Sequence, residues 1–447
     1  RTLSLTIDRG QLGKVTIRQK QDRRMVRISR RLLRWRRKER VVQTRGEQML
    51  ALRRARMAAA PAFLRGGFRP FFFGGASWAL IALVLWLCTL AGVITLPTAF
   101  DPLAWHRHEM LFGFVGAVVA GFLLTAIPNW TGRLPIAGTP LLGLFGLWLL
   151  ARFAVLFSNH VGTAGAAVLD VGFYFLLAAL AGREVLAAKN RNVPVVGIVI
   201  LFGIANAIDH ACALGLLSDD GYGWRSGLSL VVVMISLIGG RIIPSFTRNW
   251  LTKHGVREGL PGQPGRYDLA TIGVTATGLV LWVAAPDSIP AGLALAAAGA
   301  MQLVRLARWK GYRTVRDPLV LILHVGYLWV PVGLLLLAAS ILDPSIPRSG
   351  AIHALTAGAM GTMILAVMTR ATLGHTAREL RANLPTTILY ALVTLGAVLR
   401  VIAPLELIDY TTAMRCSALA WGGAFVLFVL TYGPILMRPR LGEKPSG

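Results

Sequence analysis

From Phe71 to Met437 the chain alternates apolar stretches of about 18–25 residues with short polar breaks. A helix rises 1.5 Å per residue, so each stretch matches the roughly 30 Å of hydrocarbon in a bilayer. Lipid offers no partner for backbone N–H and C=O groups, which leaves helices as the form such segments take while crossing it. The expected fold is an all-α polytopic membrane protein of about 12 transmembrane helices. The spans are expected near 71–95, 104–128, 139–158, 163–187, 194–216, 224–247, 268–285, 289–307, 318–341, 350–373, 384–403 and 411–436. A kinked re-entrant pair turning at Pro286–Pro290 is the alternative for residues 268–307. The 48 glycines suit close helix approach, because small residues let backbones meet in lipid.

Charge tests the span count independently. Nineteen Lys and Arg lie in the even-numbered loops and the C-terminal tail, whereas the odd-numbered loops hold only Arg348. The odd-numbered loops carry carboxylates instead: Asp101, Asp219, Asp220, Asp287, Asp343, Glu406 and Asp409. A miscounted span would scramble this segregation downstream, so the positive-inside rule predicts that both termini are cytoplasmic.

The organisation expected is a basic cytoplasmic segment over 1–63, a twelve-span membrane domain over 64–438 and a short cytoplasmic tail over 439–447. Residues 1–69 hold 21 Lys or Arg against four acids. The run from Arg23 to Arg40 has the composition of a basic amphipathic helix on anionic lipid, or of a nucleic-acid contact. A solvated or disordered tail that reinforces the inside N-terminus is the preferred reading, and no nucleic-acid partner is expected. The segment beginning at Met57 reads as a natural start, which makes part of what precedes it an expected gene-model extension. No apolar core follows the charges until Phe71, unlike a signal peptide. Cys88, Cys212 and Cys416 lie singly, without metal or disulfide spacing.

Ionisable residues inside spans are costly and mark function by default. With the orientation given by the loops, His106, His108 and Glu109 fall at the periplasmic mouth of span 2, Asp170 two turns into span 4, Asp209 and His210 in the periplasmic third of span 5, and His353 at the start of span 10. Arg152, Arg400 and Arg415 fall near the periplasmic ends of spans 3, 11 and 12. Imidazoles on facing helices suit haem iron or copper, and guanidinium groups suit haem propionates. The candidate cofactor-binding set is therefore His106, His108, His210, His353, Arg152, Arg400 and Arg415. His106 and His108 stand about 200° apart on a helix, so they share one site only if the helix begins between them. His324, about 10 Å into span 9 from the opposite side, is a candidate second metal or proton-path residue, with a hydrogen-bonded packing role as its alternative.

Spans 2 and 10 align at a fixed offset of 245 residues: His108 with His353, Gly113 with Gly358, Gly116 with Gly361, Thr131 with Thr376 and Arg133 with Arg378. Span 6 ends in IPSFTRNW, echoing IPNWTGR at the end of span 2. A repeat every four spans is similar to the twelve-span catalytic subunit of haem–copper oxidases, in which spans 2 and 10 carry haem-ligating histidines. Spans 6, 7 and 8 have no histidine here, so an oxidase-type copper centre is not expected. The prolines before these ends also suit a polar pocket for a quinol headgroup or a partner, with interfacial anchoring of Asn, Trp and Arg as the alternative.

The segments His106–Arg133, Gly239–Trp250 and His353–Arg378 resemble the NnrS family, and the resemblance covers the chain from about Leu64 to Arg438. The matching positions are His106, His108, Glu109, Asn129, Trp130, Arg241, Pro244, Arg248, Asn249, His353, Arg370 and His375. The resemblance implies a bacterial inner-membrane protein containing haem and copper that accompanies denitrification and protects against nitrosative stress. It implies binding or reaction with nitric oxide or an iron–nitrosyl species, with quinol as one class of electron donor. A transporter of a small solute, metal complex or haem is the alternative, and a non-catalytic sensor or assembly factor the third.

Overall fold

The computed structural model describes residues 59–442 continuously, with Gln48, Ala51, Leu52 and Ala55 besides. The expectations for the basic N-terminal segment and the last few residues therefore lie largely outside the described residues. Among the described residues there are twelve helices long and apolar enough to cross a membrane, and no strand. They are α1 Phe68–Leu90, α2 Pro102–Thr131, α3 Thr139–Leu156, α4 Thr163–Ala187, α5 Val193–Ala213, α6 Tyr222–Lys253, α7 Arg266–Ala284, α8 Ile289–Arg308, α9 Pro318–Leu342, α10 Arg348–His375, α11 Leu384–Leu405 and α12 Tyr410–Met437. Residues 268–307 form two full spanning helices, α7 and α8, and not a re-entrant pair.

Two carboxylates of the odd-numbered loops cap helices. Asp101 accepts from the N–H of Leu103 at 2.9 Å, ahead of Pro102 in the first turn of α2. Asp409 does the same for α12 through Thr412 at 2.7 Å. Each satisfies an N–H that the helix itself leaves unpaired, and places negative charge at the positive end of the helix dipole.

The helices pack as three consecutive quartets. In each, the first helix packs on the second and the third on the fourth; α4 then packs on α5, α8 on α9 and α12 on α1, closing the ring. At that closure Arg69 of α1 donates to the carbonyls of Leu436 and Arg438 at 2.7 and 2.6 Å. The second helix of each quartet, α2, α6 or α10, lies inside, and α2 and α10 are the most enclosed of all.

The offset of 245 between spans 2 and 10 has a structural counterpart. α2 contains a π-helical segment at Glu109–Val115, and α10 contains one at Ala354–Met360, the same positions under that offset. A π segment shifts the hydrogen-bond ladder and frees carbonyls, which must find partners inside a membrane protein. In α2 the Phe112 carbonyl accepts from the Tyr174 hydroxyl of α4, and the Gly113 carbonyl accepts from Trp148 Nε1 at 2.9 Å. In α10 the equivalent of Phe112, Ala357, accepts from Trp421 Nε1 of α12 at 3.4 Å. The matched glycines now have a cause. A Cβ on Gly116 would strike the Tyr174 hydroxyl, and one on Gly361 would lie 2.8 Å from Trp421 Nε1. At the far ends, Thr131, Thr247 and Thr376 each turn their hydroxyl back to the carbonyl four residues earlier.

Candidate functional site

Because Asp101 and Pro102 start α2 four residues before His106, both histidines of the His-Arg-His triplet lie within formed helix and point to opposite sides. The single layer of imidazoles and guanidiniums expected from the sequence is therefore two groups.

The first group is buried between α2, α3, α4 and α5. His108, Glu109, Arg152 and Asp170 have no exposed surface. Asp170 Oδ2 accepts from three donors: His108 Nε2 at 2.8 Å, Asn206 Nδ2 at 2.8 Å and His210 Nε2 at 3.1 Å. Its other oxygen takes Arg152 Nη2. Arg152 Nη1 donates to both oxygens of Glu109, at 2.9 and 2.8 Å, and Trp78 Nε1 donates to Glu109 Oε2 at 2.5 Å. The far nitrogen of His108, Nδ1, stands 2.8 Å from Asp209 Oδ2. Gly113 leaves room for this cluster, since a Cβ there would lie 2.7 Å from Arg152 Nη1.

The charges do not balance without a further cation. Three carboxylates, Glu109, Asp170 and Asp209, face one guanidinium, so the cluster is doubly negative when both imidazoles are neutral. Unpaired buried charge is expensive, so two protons or one divalent cation belong here. Both nitrogens of His108 face carboxylates, which only accept, so this arrangement holds His108 as a double donor. The same atoms also suit a metal. His108, Asp170 and His210 each bring one ligand atom, all within 4.8 Å of one another. Two imidazole nitrogens and a carboxylate oxygen suit copper, zinc or iron. An ion here would take the place of the bridging protons. His210 Nδ1 and Asn206 Oδ1 are buried without a partner among the described residues.

The second group joins α2, α10 and α11. His106 stacks on Trp86 of α1, centroids 4.6 Å apart and planes 17° from parallel. His353 Nδ1 lies 2.7 Å from the Ser349 carbonyl, an acceptor, so Nδ1 carries the proton and Nε2 keeps its lone pair. The charge of Arg400 reaches both rings, and the two rings lie within electrostatic reach of one another. His106 Nδ1 and Arg400 Nη1 are buried without a partner among the described residues. Two imidazoles with free lone pairs beside a guanidinium lacking an acceptor fit the donor chemistry of haem iron and a propionate.

Two residues of the expected set stand elsewhere. Arg415 is exposed at the start of α12, where its charge acts on Asp409. His324 is buried, and its Nε2 lies 2.8 Å from the Thr247 hydroxyl, linking α9 to α6. It belongs to no group of three potential ligands among the described residues, and its Nδ1 is buried there without a partner. Sequence reading places Glu109, Asp170 and Asp209 at the right depth without a role, and passes over Asn206, Trp78 and Tyr174. Asn206 had a signal: it lies one turn before His210, on the same face of a helix.

A further polar knot, on α6 to α9, is saturated. Arg305 Nε donates to Asp268 at 2.8 Å, its Nη1 reaches Ser236 and Tyr327, and Gln302 ties these to Thr275. It braces the second quartet as the Arg152 cluster braces the first.

No curated protein matches the chain. The family described as NnrS protein matches residues 62–440, all twelve spanning helices and both histidine groups included, and the chain belongs to the NnrS family.

Proposed function

We propose that this is a bacterial inner-membrane haem protein of the nitric oxide response, with its histidine groups toward the periplasm and both termini in the cytoplasm. Nitric oxide or an iron–nitrosyl species binds or reacts at the second group, where His106 and His353 hold haem and Arg400 faces a propionate. The observation that carries this reading is the coincidence on α2, α10 and α11 of two imidazoles with available lone pairs and a guanidinium with a buried, unpartnered Nη1. Bound haem supplies an iron centre that takes a diatomic ligand and exchanges electrons.

The chain's own residues have separate tasks. Trp86 fixes the plane of the His106 ring, and the Ser349 carbonyl fixes the tautomer of His353. The His108 cluster is a smaller site for one metal ion, copper being the element the family implies. In the metal-free state its acidic groups and imidazoles hold protons between α2, α4 and α5. Reductive turnover draws on an electron donor, and quinol is the class dissolved in the membrane itself. Nitric oxide added to the reduced, purified protein should shift its visible spectrum in the haem region. A protein that folds normally but shows no absorbance there overturns the reading.

A further inference from the structure

At the end of the bundle that carries the basic loops, α2, α6 and α10, with α1 and α9 beside them, line a half-open cavity of about 280 Å³. Its walls are largely aromatic and aliphatic, with Phe72, Phe122 and Phe246 among them. Deeper in the bundle, and sharing Phe122, Ile242 and Val367, lies a second chamber of about 90 Å³ lined by apolar residues alone. The two follow one another along α2, α6 and α10 as a funnel.

One charged group faces this funnel. The Arg370 guanidinium lies over the Phe246 ring, 4.0 Å from its centroid, and makes no hydrogen bond or ion pair with the described residues. Arg370 is half-buried, and its N–H groups are left to donate to whatever enters the cavity. The other polar side chains are Thr125, whose hydroxyl is held by the Gly121 carbonyl and the Phe68 N–H, and His375 and Asn129, both exposed at the mouth. His375 lies five residues beyond Arg370 on α10, about 7.5 Å along the axis. The funnel thus offers a deep donor, aromatic walls between, and a second polar point at the rim.

We propose that this funnel binds a flat ring of the quinone class, with Arg370 donating to one ring oxygen and His375 facing the other at the rim. The proposal rests on the redox reading above and gives its electron donor a place. Two polar groups, the Arg370 guanidinium and the His375 imidazole, on one aromatic-walled cavity match the two ring oxygens of a quinone better than an acyl chain with a single head.

The test is equilibrium binding of menadione, a tail-less naphthoquinone, to the full-length protein in nanodiscs, with haem content measured on the same sample. Wild type should bind saturably. Arg370→Gln should weaken binding about tenfold or more, the range for losing one hydrogen bond to a charged group, with haem content unchanged. Gly374→Leu is the second variant. Gly374 lines the funnel, and a Cβ there meets only Leu380, at 3.9 Å, so the added side chain takes up space in the site and should abolish binding while the Arg370 charge is kept. Menadione affinity that neither variant changes overturns the proposal. So does naphthoate binding more tightly than menadione in an Arg370-dependent way, which would make the ligand a carboxylate. Quinone binding without haem would sink the haem reading and leave this site standing; haem without quinone binding would do the reverse.

Discussion

Replacing Arg152 with Met tests whether the buried cluster is held as an ionic unit. Arg152 has no exposed surface and gives charge-assisted hydrogen bonds to two carboxylates on two other helices. Met keeps much of the volume and removes the charge. Asp170 retains His108, His210 and Asn206 as donors, whereas Glu109 retains only Trp78. The penalty falls on Glu109, a carboxylate then left deep in the bundle with one neutral donor. Breaking a buried pair by removing one partner costs about 3–5 kcal/mol, most of it the uncompensated charge left behind. Adding Glu109→Gln removes that charge and should recover about 1–3 kcal/mol. Reversible unfolding in mixed micelles at rising detergent fraction, followed by circular dichroism, measures both. A loss under about 1 kcal/mol for Arg152→Met, the size of an exposed ion pair, would refute the reasoning. So would a double variant no more stable than the single.

Three further outcomes follow from the packing and the donor geometry. Gly223→Ala places a Cβ 2.7 Å from the Asp209 backbone nitrogen and 3.0 Å from the Ala205 carbonyl, neither of which can rotate away. It should cost about 1–3 kcal/mol in the same assay and separate α5 from α6. Gly116→Ala and Gly361→Ala remove the space for Tyr174 and Trp421 at the two π segments, and each should destabilise by a similar amount, about 1–3 kcal/mol. Equal stability of either variant and wild type would remove the packing reason for the matched glycines. For the His108 cluster, copper or zinc titrated into metal-depleted protein should bind to wild type, and His210→Ala should weaken that binding about tenfold or more. Unchanged affinity in the variant would mean that the ion sits elsewhere.

The spanning helices were legible in the sequence because apolar length against bilayer thickness is a one-dimensional quantity. The depth of each buried charge followed from it. What could not be read was azimuth. His106 and His108 lie at nearly the same depth, and their separation into two groups depends on where α2 begins, which Asp101 and Pro102 decide. The π segments were equally hidden, although the glycines that accommodate their aromatic donors were visible as a repeat. The carboxylates Asp170 and Asp209 stood out as charges in spans, but their convergence on His108 comes from the packing of α4 and α5 against α2. His324 was visible as a histidine deep in a span, open to a metal, proton-path or packing role, but its contact with the Thr247 hydroxyl depends on how α9 packs on α6.

The central claim is that haem sits with His106 and His353, apart from the His108 cluster. A pyridine haemochrome assay on the purified protein and two variants tests it most directly. Wild type should carry haem, His353→Ala should lose most of it, and His210→Ala should keep it. A haem-free wild type, or full haem in His353→Ala with loss in His210→Ala, would contradict the assignment.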